Sequence, residues 1–187
     1  MEKKDLKPAG VFKYFEEICQ VPRPSKKEEK MIAYLKAFGA KHNLETKVDE
    51  AGNVLIKKPA TPGKENLQTV VLQSHIDMVC EKNNDVQHDF LTDPIETEID
   101  GEWLKAKGTT LGADNGIGVA TELAILADDS IEHGPLECLF TVDEETGLTG
   151  AFALQEGFMS GDILLNLDSE DEGEIFIGCA GGIDSVA

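Results

Sequence analysis

Apolar positions along the chain recur at two periods. Between Val11 and Gln20 they fall at 11, 12, 15 and 18, the spacing of one helix face, and Pro22 and Pro24 end the run. Met31, Ile32, Leu35 and Phe38 mark a second helix, opened by Ser25 with Glu28 three residues on, a capping-box pattern. Residues 44–48 and 54–57 read as strands around Ala51-Gly52-Asn53. The apolar runs 69–73, 136–142 and 163–167 read as buried strands, and residues 174–178 as a further one. Asp100-Gly101 lies between 96–99 and 102–105 as a hairpin turn. Residues 115–126 have helical spacing, and Gly116 and Gly118 near their start imply close backbone approach. A short helix over 148–155 is ended by Gly157, while residues 81–95 are polar and turn-rich without a period. Alternating helices and strands predict an α/β fold with a mixed, mainly parallel central sheet flanked by helices.

Composition changes this picture in one respect. The 187 residues suffice for one domain or a large piece of one, and 41% hydrophobic content supplies a normal core. The net charge of −19 is unevenly spread. Residues 1–65 carry 14 basic and 10 acidic side chains; the remainder carry 3 and 26. Such a surface argues against nucleic acid and anionic membranes as partners, because phosphate contacts need clustered Lys and Arg. It suits metal cations, although most of the acids need only be a solvated surface. Cys19, Cys80, Cys138 and Cys179 form no C-x-x-C pair and no disulfide framework, and Cys138 reads as a reduced core residue. No signal region follows the N-terminus, and no stretch reaches transmembrane length, so a reducing cytoplasm is the expected compartment.

The candidate chemistry lies where the apolar runs stop. Val70-Val71-Leu72 leads into Ser74-His75-Ile76-Asp77, residues 136–142 lead into Asp143-Glu144-Glu145, and Ile163-Leu164-Leu165 leads into Asn166-Leu167-Asp168; Asp114-Asn115 instead opens a helix. Open α/β sheets gather ligands at the carboxyl edge of their strands. One imidazole and several carboxylates meeting there suit a hard or borderline divalent cation such as Zn, Mn or Co. A ligating imidazole needs an acceptor on its second ring nitrogen, which Asp77 could supply for His75. Adjacent Glu144 and Glu145 repel each other unless a cation neutralises one and the other accepts protons. Each segment has a plainer reading: a strand-end histidine beside a capping aspartate, an N-cap at Asp114, an exposed acidic turn, a charged loop beginning at Asp168. Together they suggest that Asp114 bridges two cations, His75 and Asp168 hold one, Glu145 holds the other, and Glu144 acts as proton acceptor for hydrolysis of an amide bond.

The order H-x-D, D-N, E-E, D resembles the co-catalytic zinc peptidases and deacylases related to carnosinase and succinyl-diaminopimelate desuccinylase. The strings over residues 72–79, 110–118 and 141–147 are most similar to the bacterial aminoacyl-histidine dipeptidases, and the resemblance runs from about Leu6 to the end. It implies a cytoplasmic two-zinc enzyme that cleaves dipeptides, preferentially Xaa-His; a carboxylate-rich site also accepts manganese or cobalt. It implies Asp77 as the residue orienting His75 and Glu144 as general base. It implies His75, Asp114, Glu145 and Asp168 as ligands, and a cis peptide between Asp114 and Asn115. Chains of that family are longer and carry a late histidine ligand. His42, His88 and His133 lie in no matching segment. The resemblance therefore implies that residues 1–187 are the N-terminal part of the catalytic domain, with a lid and dimerisation domain and a C-terminal catalytic segment outside them. On that basis little activity is expected of these residues alone, and a homodimer of the full-length enzyme is left open. A related deacylase or tripeptidase, and a metal-binding module without catalysis, remain alternatives.

Overall fold

The computed structural model describes residues 2–169 and 173–178. Four helices, α1 (Ala9–Cys19), α2 (Glu29–Lys41), α3 (Ala113–Ala127) and α4 (Thr149–Ala153), alternate with strands β1 (Glu45–Val48), β2 (Val54–Lys58), β3 (Val70–His75), β4 (Thr97–Asp100), β5 (Trp103–Ala106), β6 (Leu136–Thr141) and β7 (Ile163–Asn166). The main sheet has the order β1-β2-β6-β3-β7. β1 with β2 and β2 with β6 are antiparallel, whereas β6 with β3 and β3 with β7 are parallel. The α/β class with a mixed sheet and flanking helices is therefore as expected, with its four pairings divided evenly between the two senses. β4 and β5 form the separate hairpin, turning at Gly101 with φ 62°.

Period-2 side-chain alternation divides the core between the two sheet faces. Val54 and Ile56 of β2, Leu72 of β3, and Cys138 and Phe140 of β6 pack with Phe15, Ile18, Met31, Leu35, Val119 and Leu123 of the helices. Leu55, Val71 and Leu139 face the other way, against Leu154, Phe158 and Met159. Each fully buried large apolar side chain stabilises the fold by about 1.5–3 kcal/mol. Cys138 is a buried free thiol, as its place in the apolar run implied; Cys179 lies outside the described residues. No helix among the described residues is long and apolar enough to cross a membrane.

Three expectations need correction. Residues 163–165 do form a strand, but β7 is exposed, because it flanks β3 at the sheet edge and no described helix covers it. Residues 174–178 form no strand; Ile175, Phe176 and Ile177 stand exposed, so apolar composition alone did not recruit a pairing partner. Ser25 and Glu28 are not a capping box. α2 starts at Glu29 without a side-chain cap, and both side chains turn instead to the sheet edge.

Candidate metal centre

Parallel register brings the candidate residues to one edge. His75 ends β3 opposite Thr141 of β6, so Glu144 and Glu145 follow three and four residues beyond that level. Gln73 lies opposite Asn166 of β7, which carries Asp168 to the same height. A tight turn after β6 aims the glutamates: Asp143 is left-handed at φ 48°, and the Gly147 and Leu148 amides donate to the Glu144 carbonyl at 3.0 and 2.9 Å. Asn53 braces that turn, accepting from the Val142 amide and donating to the Gly150 carbonyl.

Asp114 is no helix cap. It and Asn115 have non-helical backbone angles, the peptide between them is cis, and no side-chain capping bond forms. Its carboxylate meets His75 instead, with Oδ1 2.9 Å from Nε2. The Asn115 amide donates to Asp168 Oδ1 at 2.5 Å and to the Leu167 carbonyl at 3.2 Å, tying β7 to α3. Added Cβ atoms at Gly116 and Gly118 would collide with Arg23 and Asn115 respectively, the close approach expected there.

His75 is the centre of the arrangement. Its side chain is 1% exposed, and both ring nitrogens face carboxylates. Nδ1 lies 3.2 Å from Asp77 Oδ1, while Nε2 lies 2.9 Å from Asp114, 3.8 Å from Asp168 and 4.0 Å from Glu144. Donor atoms of His75, Asp114 and Asp168 converge within 4.8 Å of one another, as do those of His75, Glu144 and Glu145. All six sequence-derived residues are thus brought together. One nitrogen and several carboxylate oxygens, with Asp114 65% exposed at the entrance, fit hard or borderline divalent cations. His42 packs against Phe38, His88 meets Phe90 edge to face, and His133 bonds to the Gly134 carbonyl, so each is engaged elsewhere.

Asp77 is buried behind the imidazole. Its oxygens accept from the Glu144 amide at 3.0 Å, the Glu145 amide at 3.2 Å and the Ser25 hydroxyl at 2.7 Å. Burial alone would raise its pKa; the bonds from His75, Glu144 and Ser25 outweigh burial and hold it at about 2. Burial likewise lowers His75, but the Asp77 and Asp114 hydrogen bonds overturn this and raise it to about 9. Burial raises Glu144 and Glu145, and neighbouring carboxylates add to the effect. Sequence reasoning missed Ser25, Arg23 and Asn53. The only signal was polar residues set between prolines or in a turn, with nothing to name their distant partners.

These shifts predict opposite pH trends for stability and metal affinity. A histidine whose folded pKa exceeds its unfolded value of 6.5 stabilises the fold fully below pH 6.5, and that contribution is lost as pH rises through about 9. The thermal midpoint of the metal-free chain is expected to fall across that interval through His75. Affinity for Zn²⁺, measured by calorimetry, is expected to rise, because the cation takes the imidazole only once its proton has left. An affinity that does not change with pH would remove His75 from the ligand set.

Comparison with known proteins agrees with this geometry. Residues 71–180 match the model for peptidase family M20/M25/M40. The cytosol non-specific dipeptidase of Escherichia coli K12 is 54% identical over 183 residues, 98% of this chain and 38% of that protein. The crystal structure of aminoacylhistidine dipeptidase from Vibrio alginolyticus superposes with a TM-score of 0.93 at 56% identity, covering 96% of this chain and 36% of that one. Aminopeptidase PepT from Bacillus cereus shares 26% identity with a TM-score of 0.73, over 87% of this chain and 43% of its own. The chain therefore spans well under half the length of these relatives. The matched region holds every candidate ligand, and the chain belongs to peptidase family M20/M25/M40, a family of metal-dependent peptidases.

Proposed function

We propose that these residues are the N-terminal part of the catalytic domain of a metal-dependent dipeptidase with two divalent cations, and that Xaa-His dipeptides are preferred substrates. The observation that carries this is the environment of His75: one carboxylate behind the imidazole and three within 4.0 Å in front of it. In this reading His75 and Asp168 would hold one cation and Glu145 the other, with Asp114 as a ligand shared by both. Zinc suits the donor set first, with manganese and cobalt as alternatives. Bound there, the cations would polarise the scissile carbonyl and lower the pKa of the attacking water.

The protein's own groups do the rest. Asp77 fixes the imidazole with Nε2 toward the cation site and anchors the amides of Glu144 and Glu145. Glu144 accepts the proton of the water and returns it to the leaving amine. Burial raises its pKa, the direction that suits a group that must both take and return a proton. The names of the Escherichia coli and Vibrio relatives support a dipeptide substrate. The free cysteines and the cytosolic relative support a cytoplasmic location. For residues 1–187 alone we propose little or no turnover, because in this assignment the cation at Glu145 would have two of these side chains as ligands, Glu145 and Asp114, against three for the cation at His75.

The test is a chimera in which these 187 residues replace the corresponding part of the Escherichia coli relative. It is assayed with zinc on an Xaa-His dipeptide, a tripeptide and an N-acyl amino acid. Preferred cleavage of the dipeptide is expected. Preference for the N-acyl amino acid would make this a deacylase, preference for the tripeptide would make it a tripeptidase, and turnover by residues 1–187 equal to the chimera's would overturn the half-site reading.

A further inference from the structure

We infer that Arg23, in the connection between α1 and α2, is a positioning residue of the metal centre that sets the spacing between the His75–Asp77 strand end and the Asp114 turn. The inference rests on the metal reading of the site given above. Arg23 is 2% exposed. Its Nη1 donates to the carbonyls of Ile76 at 3.1 Å and Asp77 at 3.0 Å, and its Nη2 donates to the carbonyl of Gly112 at 2.6 Å. One rigid planar group thus spans the two chain segments whose side chains meet at His75 Nε2. Neither segment carries Arg23 itself.

The seat of the guanidinium is cut for it. A Cβ on Gly112 would come within 2.5 Å of Nη2, and one on Gly116 within 2.7 Å. The two glycines that bracket Ala113-Asp114-Asn115 therefore make room for Arg23 as much as for the backbone turn. Pro22 and Pro24 restrict the chain on both sides, and Pro24 forms a parallel bridge with Met78, directly after the H-x-D segment. Burying a cation is costly unless it is matched. Here three carbonyl oxygens match it, and the carboxylates of Asp77 and Asp114 attract it, opposing the fall in its pKa that burial causes. A fork that donates in two fixed directions is a property of arginine that lysine does not share.

The experiment is Co²⁺ titration of the 187-residue chain, read by affinity and by the visible d–d spectrum, for wild type, Arg23→Met and Arg23→Lys, with far-UV circular dichroism as fold control. Loss of a group that orients ligands is expected to weaken Co²⁺ binding about 10–100-fold in Arg23→Met and to change the spectrum, with Arg23→Lys recovering only part of the affinity. A purely structural role would lower the thermal midpoint and leave the spectrum of the folded fraction unchanged, which would overturn the inference. Should Arg23→Met not fold, Gly116→Ala decides: it retains the charge but displaces the guanidinium, and an unchanged spectrum there refutes the positioning role. No Co²⁺ binding by the wild-type chain would overturn the metal reading, and this inference with it. Unchanged affinity in folded Arg23→Met overturns the inference alone.

Discussion

Replacing Glu144 by Gln is expected to reduce dipeptide hydrolysis by the chimera about 10²–10⁴-fold while its metal content stays the same. Glutamine keeps the size and polarity of the side chain but cannot take a proton from water at neutral pH. Glu144 stands in the second group of donors around His75, with Oε2 4.0 Å from Nε2. Its amide is pinned by Asp77 independently of the carboxyl, so the substitution leaves the turn in place. The effect should fall on kcat, because the lost interaction is with the attacking water and not with the substrate's recognition groups. A fall in metal content matching the fall in rate would show instead that Glu144 is a ligand, and the base would have to be sought elsewhere.

Asp114→Ala is expected to empty the site. Asp114 Oδ1 is 2.9 Å from His75 Nε2, and its carboxylate is the most exposed of those facing that nitrogen, open to incoming cations. If it bridges, one substitution removes a donor from both cations at once. Elemental analysis of the chimera after dialysis should then fall from about two metals per chain toward none, with affinity for the first cation lowered at least about 100-fold. A drop from two to one would assign Asp114 to a single cation. Unchanged stoichiometry would return it to the surface acids. The same variant withdraws a hydrogen bond that raises the pKa of His75, so the imidazole of the metal-free protein should titrate lower than in wild type.

Much of this site was legible in the sequence because its chemistry lies where periodic runs stop. A buried strand ending in His75, another ending at Thr141 shortly before Glu144, and the exposed edge strand leading to Asp168 put their polar side chains at one sheet edge by topology alone. What was not legible depended on distant partners. Ser25 and Glu28 have the spacing of a capping box, but their partners are Asp77, 52 residues away, and the Asp143 amide, 115 away. No local pattern distinguishes these from a helix start. The exposure of β7 was hidden for a related reason: periodicity reports that Ile163, Leu164 and Leu165 are apolar, not whether anything lies over them. Arg23 was passed over because a cation between prolines reads as surface, and only the glycines at 112 and 116 explain how it is accommodated inside.

Asp77 joins the imidazole on one side to the backbone of both glutamates on the other. The ring and the Glu144 turn are thus parts of one lever with a common fulcrum, so that a shift of His75 is transmitted to Glu144 through Asp77. A substitution at Asp77 would therefore disturb the imidazole and the Glu144 turn together.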